Sequence, residues 1–318
     1  MIPCMSSHLF VQAPAKLNLA LSVGATRPDG MHPISSWMVT VDLFDDLHLE
    51  RLPEGNFSLF ATVWHRDALR RSDIDWSISK DLVNRAHDHL EAFVGRALPV
   101  KVRVEKRIPI GGGLGGGSSD AAAMLRAMNA LFELHIGDED LRGLAANIGS
   151  DVPFLVSGGS ALVGGTGGDI QVLGDPPEVH AVLFFPAVAC PTADVYRQFD
   201  RGAKAPMLRS DAVAALASRP SIGPTDPFND LAGPAQDIAP SIADDREEIA
   251  MVTELPVHVC GSGSSLFVIC SDAMHAQALA AHCAAKLALP AVAVRTCANQ
   301  TPYASRTPCD SASVQRSL

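Results

Sequence analysis

Between Lys106 and Leu125 the chain reads Lys-Arg-Ile-Pro-Ile-Gly-Gly-Gly-Leu-Gly-Gly-Gly-Ser-Ser-Asp-Ala-Ala-Ala-Met-Leu, with six glycines in the seven positions from Gly111 to Gly117. Glycine lets a backbone take positive φ and approach a ligand closely, because no Cβ stands in the way. A helical pattern follows at once, and the first N–H groups of a helix lack internal partners while its dipole is positive at that end. The chemistry this combination offers is anion binding, above all of phosphate.

Two elements must position such a loop. Before it, Val100, Val102 and Val104 alternate with Lys101, Arg103 and Glu105, the period of a half-exposed strand. After it, Ala121, Met124, Leu125, Met128, Leu131 and Phe132 keep helical spacing, with Ser118 or Ser119 as a natural N-cap. Alternation also predicts strands over Leu17 to Val23 and Trp37 to Leu49 around the turn Arg27-Pro28-Asp29-Gly30, and later over 179–185, 257–260, 266–270 and 291–294. Helices are expected over 81–93, 138–147, 210–218 and 273–287. Residues 53–75 are mixed and polar and read as a variable excursion, and the Ser/Thr/Pro-rich stretch from Asn299 onward as a disordered tail.

Bulk properties narrow the class. The chain has 318 residues, 47% apolar and 19% charged, with only 5% aromatics, so a core of Ala, Val, Leu and Ile is expected. A net charge of −10 argues against non-specific binding to nucleic acid or to an anionic membrane, so an anionic ligand needs a local basic patch. Seven scattered cysteines without C-x-x-C spacing read as small hydrophobes in a reducing compartment. With no secretory pattern and no apolar run near bilayer length, a cytoplasmic protein is expected.

For the glycine loop, three readings compete on the residues alone. The P-loop form is excluded, because no lysine follows these glycines. Gly111, Gly113 and Gly116 formally satisfy the dinucleotide fingerprint, with Glu133 at a tempting distance; yet Glu133 falls at the end of the helix rather than of a second strand. A flexible linker remains, although it would sit oddly between a well-formed strand and a capped helix.

Three stretches taken together resemble the GHMP kinases, the superfamily that includes galactokinase, homoserine kinase and mevalonate kinase. They are Pro14-x-Lys16-x-Asn18-Leu19, the long glycine motif ending at Asp120, and Gly261-Ser-Gly-Ser-Ser265. Arg27-Pro-Asp-Gly-Met-His32, Gly149-Ser-Asp-Val-Pro153 and Asn229-Asp-Leu231 bring the chain closest to the branch that phosphorylates a hydroxyl of diphosphocytidyl methylerythritol in non-mevalonate isoprenoid precursor synthesis. The resemblance covers nearly the whole chain. It implies an α+β fold of two domains: a ribosomal-protein-S5-like domain over 8–165 and a second α+β domain over 166–298, with ATP between them and 299–318 as the tail. Small-molecule substrates, ATP with Mg²⁺ and a cytidine-diphosphate-linked alcohol, are expected, and a monomer or homodimer. A GHMP kinase for another small alcohol of the homoserine or mevalonate type, and a non-catalytic nucleotide binder on the same fold, are the alternatives.

By the same resemblance Lys16 and Asp151 are the catalytic pair. On residue type alone Asp151 would read as a helix N-cap, but an Asp–Lys pair beside a hydroxyl keeps the carboxylate ionised and stabilises alkoxide charge. Lys106, Pro109, Gly111, Gly112, Gly113, Leu114, Gly115, Gly116, Gly117, Ser118 and Ser119 are expected to hold the nucleotide, with Ser118 or Ser119 offering an oxygen to Mg²⁺. Gly261 and Gly263 close the phosphate site. Asn18, His32, Thr192 and Tyr196 are the candidate substrate contacts, His32 reading cytosine and Tyr196 stacking on it. Two positions depart from the pattern: Met31 stands where the family usually has tyrosine, and Asp81 where it commonly has asparagine before the adenine-side helix.

Overall fold

The computed structural model describes residues 7–202, 206–298 and 303–304. In chain order the first part runs β1 (His8–Val23), β2 (Ile34–Arg51), β3 (Leu59–Trp64), a 3₁₀ turn at Ile78–Lys80, α1 (Leu82–Val94), β4 (Val100–Lys106), α2 (Gly116–Leu131), α3 (Asp138–Ala146), α4 (Val152–Ser157), β5 (Ser160–Gly164) and β6 (Asp169–Gly174). The second runs β7 (His180–Phe184), α5 (Thr192–Arg201), α6 (Ser210–Ala217), β8 (Phe228–Asn229), α7 (Ala232–Ile238), α8 (Ser241–Thr253), β9 (His258–Val259), β10 (Leu266–Cys270), α9 (Ala273–Lys286), β11 (Ala291–Arg295) and β12 (Tyr303–Ala304).

The strands form two sheets. One has the order β12-β1-β2-β4-β3, with β5 and β6 continuing from β2 and β8 added parallel to β1; the other has the order β11-β7-β10-β9. This is the expected α+β architecture. The seam expected between residues 165 and 166 falls inside the β5–β6 hairpin, so β6 stays with the first sheet. Of the expected tail, Tyr303–Ala304 pairs antiparallel with β1, and the remainder lies outside the described residues.

Period-2 alternation explains how the sheets share their cores. On β7, Ala181 and Leu183 join a core with Phe267 and Ile269 of β10 and with Leu17, Leu19, Trp37 and Val39 of the first sheet. Val182, Phe184, Leu266 and Val268 point the other way, into the core that also receives α2 and α9. One face of each sheet therefore packs on the other, and the halves are joined by a dry interior. On β1 the alternation sends Lys16 and Asn18 away from that interior. The register shifts between Asn18 and Ala20, where Leu19 and Ala20 both enter the shared core, as a bulge requires.

Three expectations are corrected. The excursion over 53–75 holds an edge strand, β3, pairing parallel with β4; half-exposed residues on a sheet edge leave little periodic signal. Strand β5 and helix α8 are further elements that periodicity did not reveal. Finally, α2 begins at Gly116, not after Ser118 or Ser119. Its N-cap is Gly115 at φ 71°, with no side-chain cap. Gly115 supplies the positive φ that turns the chain into the helix.

Asp230 shows how the second half is tied back to the first. Its Oδ2 accepts from Ser22 Oγ and from Val23 N, each at 2.9 Å, its own N–H donates to Leu21 O, and its Oδ1 is paired with Arg209. Asp230→Ala leaves two donors at the end of β1 without an acceptor. It is expected to lower stability by roughly 1–3 kcal/mol, read as a lower urea midpoint with an unchanged m-value.

Candidate active site

A cavity of about 900 Å³ opens along the edge where the two halves meet, and every motif singled out in the sequence contributes to its wall except Asn229-Asp230, which underlies it. Its floor is the glycine loop. Ser119 N donates to Gly115 O at 2.8 Å as the first helical bond, so the N–H groups of Gly116, Gly117 and Ser118 have no partner within α2. The cradle is thus bare backbone at a helix N-terminus.

The loop is held by contacts that only glycine permits. Gly113 has φ 76°, and a Cβ there would collide with the carbonyl of Cys260. At Gly112 it would lie 2.5 Å from Ser265 Oγ, and at Gly115 2.9 Å from Lys16 Cγ. Ser265 N donates to Gly112 O at 3.1 Å, and Lys16 N to Leu114 O at 2.9 Å. The turn 261–265 is braced from below by Asn229, whose Nδ2 donates to Val259 O (2.9 Å) and Gly261 O (2.7 Å). The first, second and third motifs therefore meet at backbone distance.

Lys16 Nζ lies 3.5 Å from Asp151 Oδ2. The lysine side chain is almost wholly buried, whereas Asp151 is 27% exposed, so a substrate can reach the carboxylate. Asp151 occupies the N-cap position of α4, yet its side chain makes no capping bond. Its carboxylate faces the cavity instead. Lys16 Nζ also donates to Asn18 Oδ1 at 2.7 Å, Asn18 Nδ2 to Ser36 Oγ at 2.8 Å, and Ser36 Oγ to Ala20 O at 2.7 Å. Asn18 thus lies on the cavity wall as expected, but its oxygen is engaged in orienting the ammonium.

Other expected residues sort themselves by their partners. Ser119 Oγ donates to Pro14 O at 2.7 Å and is buried, whereas Ser118 is half-buried and lines the cavity wall. Thr192 Oγ1 lies 3.0 Å from Ser262 Oγ, which links α5 to the second glycine turn. Pro109, Leu114 and Gly261 line the cavity, while Gly263, at φ 83°, packs near Ala235 and Cys190 behind it. His32 has both ring nitrogens engaged: Nδ1 donates to Gly24 O at 3.0 Å, and Nε2 lies 3.4 Å from Asp200 Oδ1. Its ring sits 5.1 Å from that of Tyr196 and edge-on to Phe199 at 5.8 Å. Burial, and then the charge of Asp151, pushes the Tyr196 phenol up to about 12. Tyr196 is therefore a neutral ring close to Asp151.

Lys106 lines the cavity as expected of a nucleotide neighbour, with its ammonium engaged by two buried acids. Its ammonium is 2.5 Å from Asp45 Oδ2 and 2.6 Å from Asp120 Oδ2, and all three side chains are buried. Burial alone would lower this lysine, but Asp120 and then Asp45 outweigh it and hold it above its ordinary value. Asp45 Oδ1 also takes the N–H groups of Arg107 and Ile108, which fixes the entry to the loop. Neither acid was legible as a partner from sequence, since Asp45 is 61 residues away. Burial also pushes Asp120 up to about 8, with Lys106 opposing and Asp45 reinforcing the rise. Two carboxylates share one ammonium, and the second keeps its proton.

Trp76 and Lys80 on the cavity wall were missed; Asp81, singled out before the adenine-side helix, lines the same wall. Asp81 caps α1, its Oδ1 accepting from Val83 N (2.8 Å) and Asn84 N (3.3 Å). A separate cluster of Asp46, His65 and Glu105 has metal-ligand chemistry, but the Arg107 guanidinium occupies it, bonded to Asp46 at 2.8 Å and to His65 Nδ1 at 3.1 Å.

Known proteins resemble this chain in sequence and in fold. Residues 81–159 match the model of the GHMP kinases N terminal domain. A 4-diphosphocytidyl-2-C-methyl-D-erythritol kinase of Nocardioides sp. is 36% identical over 276 residues, 85% of this chain and 91% of that one. The kinase of the same name from Desulfitobacterium hafniense is 34% identical, over 85% and 89%. The crystal structure of a 4-(cytidine 5'-diphospho)-2C-methyl-D-erythritol kinase superposes with a TM-score of 0.71 at 32% identity, covering 90% of this chain and 98% of that one. Methanococcus jannaschii mevalonate kinase, at 11% identity and a TM-score of 0.63 over 92% and 99%, shares the fold alone. The architecture is thus the two-domain GHMP kinase fold.

The buried triad carries a pH signature. In the folded chain Asp120 keeps its proton up to about 8, against 3.8 for the ordinary group. The folded state binds the extra proton between those values, so this contribution is complete below 3.8 and is lost as pH rises toward 8. Asp120→Asn is expected to flatten that decline, measured as urea midpoints across the same interval.

Proposed function

The chain belongs to the 4-diphosphocytidyl-2-C-methyl-D-erythritol kinases of the GHMP superfamily, and from that premise we propose that Lys16 and Asp151 are the residues with which it transfers the γ-phosphoryl group of ATP to a hydroxyl of 4-diphosphocytidyl-2-C-methyl-D-erythritol. The observation that carries this reading is the Lys16–Asp151 pair at 3.5 Å, packed against Gly115 at the rim of an uncapped helix N-terminus.

Phosphoryl transfer asks a protein chiefly to align the attacking and leaving oxygens and to offset charge on the moving group. The free N–H groups of Gly116, Gly117 and Ser118 hold the phosphates. Mg²⁺ enters with ATP as part of the substrate. It favours oxygen donors and keeps several waters, and Ser118, half-buried on the cavity wall, fits that need where Ser119 does not. Asp151 takes the proton of the acceptor hydroxyl, and Lys16 favours the ionised carboxylate and the developing alkoxide charge. Asn18 and Ser36 orient Lys16, so Asn18 acts through the lysine.

Contacts order the cleft. Leu82 Cδ1 lies 3.6 Å from the Cβ position of Gly117, so the start of α1 abuts one side of the cradle and receives adenine. Lys16 and Asp151 flank the other side, followed by Tyr196 and His32, which receive the cytidine. Because both ring nitrogens of His32 are engaged, base recognition by this residue falls to its peptide group. Met31, half-exposed on the same wall, offers a polarizable thioether to an aromatic face in place of a second ring. The cysteines among the described residues are unpaired, which with the need for ATP fits a cytoplasmic enzyme; among the same residues no helix is long and apolar enough to cross a membrane.

A coupled ADP-release assay over 4-diphosphocytidyl-2-C-methyl-D-erythritol, homoserine and mevalonate is expected to give turnover with the first alone; turnover confined to another alcohol would reject the acceptor. Asp151→Asn preserves volume and is expected to lower kcat by about 10²- to 10⁴-fold with both KM values near wild type. Wild-type turnover in that variant would remove Asp151 from its role.

A further inference from the structure

Trp76 lies just beyond the excursion over 53–75, and nothing in the mechanism above uses it. The chain has three tryptophans. Trp37 is fully buried, its Nε1 bonded to Ser160 Oγ at 2.9 Å, and Trp64 turns its Nε1 to Ser72 O at 2.8 Å within the excursion. Trp76 alone of the three lines the cavity. Its indole is held there, because Nε1 donates to Asp81 Oδ2 at 2.8 Å. Asp81 is itself fixed by the two backbone N–H groups of α1 that its other oxygen caps. A half-buried indole with its polar end pinned and its ring against a cleft is a preorganised flat surface, losing little side-chain freedom when a partner settles on it.

The partner's chemistry follows from the neighbours. Leu82, beside Asp81, reaches the Cβ position of Gly117 at 3.6 Å, so this wall begins where the phosphate cradle ends. Ile108, Pro109 and Ile110 add an apolar surface to the same cavity. A ligand anchored by phosphate at the cradle and carrying a planar heterocycle on that side would lay its ring in this space.

We propose that Trp76 is the stacking platform for the purine of the donor nucleotide, and that Asp81 is a positioning residue that sets the indole's orientation. This rests on the reading of the glycine loop as the triphosphate site. It also gives the aspartate at position 81 a reason: a carboxylate has acceptor capacity for the helix cap and the indole N–H together.

Binding of Mg·ATP to the full-length chain, without the acceptor alcohol, tests the proposal separately from the acceptor assignment. Tryptophan emission of the wild type is expected to change saturably with Mg·ATP, and Trp76→Phe is expected to lose that change while keeping nearly the wild-type Kd by calorimetry. Trp76→Ala is expected to raise the Kd roughly 5- to 150-fold, the range of base–aromatic stacking. Asp81→Ala is expected to weaken binding more in the wild-type chain than in the Trp76→Phe variant, since a phenyl ring has no N–H to orient. A Trp76→Ala protein with the wild-type Kd would overturn the platform. Equal effects of Asp81→Ala in the two backgrounds would overturn the positioning role. If Trp76→Ala loses Mg·ATP while 4-diphosphocytidyl-2-C-methyl-D-erythritol is not phosphorylated by the wild type, the acceptor reading fails and this one stands.

Discussion

The cleft depends on two glycine turns, one from each half of the molecule, that touch backbone to backbone. Gly113 lies over the Cys260 carbonyl with no room for a Cβ, Ser265 N donates to Gly112 O, and Gly261 sits 3.1 Å, at its Cβ position, from both Lys16 Nζ and Gly113 O. A side chain at any of these glycines would push the turns apart. Lys16, packed between them, would then lose the carbonyl of Leu114 that fixes its backbone and the wall that directs its ammonium toward Asp151. Three segments far apart in the chain are registered by this one contact, and the positions of phosphate, base and acceptor all follow from it.

Holding a polyanion is a problem for a chain of net charge −10, and the cleft solves it locally. The uncapped N-terminus of α2 contributes dipole and N–H groups. Lys16 contributes an ammonium beside the cradle, paired with the partly exposed Asp151. Lys106 does not, because its charge is shared by Asp45 and Asp120 directly behind the loop. That arrangement would leave a net negative charge beneath the triphosphate if both acids were ionised. A proton retained on Asp120 removes it, at a place where an uncompensated buried charge would cost several kcal/mol. The triad is therefore a neutral brace: it fixes the β4-to-loop junction through the two N–H groups that Asp45 accepts, without opposing the ligand.

Local patterns in the sequence were enough for the glycine cradle, for the strand before it and the helix after it, because period and composition are properties of neighbours along the chain. They were not enough for partners. Lys106 reads as a nucleotide contact until Asp45 and Asp120 are placed beside it. Ser118 reads as a cap because serine is a good cap, whereas the left-handed turn at Gly115 starts the helix three residues earlier. The His32 motif signals a specific loop but not that both ring nitrogens are engaged at Gly24 and Asp200. Strand β3, half-exposed on a sheet edge, and Trp76 beyond it fall in a stretch whose order is imposed by pairing with β4 and by Asp81, neither of which local spacing displays.

How the cleft admits two substrates follows from where its walls are attached. Leu17, Leu19 and Trp37 of one sheet interdigitate with Leu183, Phe267 and Ile269 of the other in a continuous buried core, and such a core does not hinge without losing its packing. The catalytic pair belongs to the rigid part: Lys16 is on β1, and Asp151 begins α4, which packs on α2. The outer walls do not. Trp76 hangs on a long connection from an edge strand, and Tyr196 rides on α5, an amphipathic helix with Val195 as its fully buried residue. Elements with few buried contacts open at lower free energy than cores do. Adjustment to each substrate therefore falls chiefly to the Tyr196 wall, since the Trp76 indole is pinned through Asp81, while the distance between Lys16 and Asp151 is set by elements that the shared core holds still.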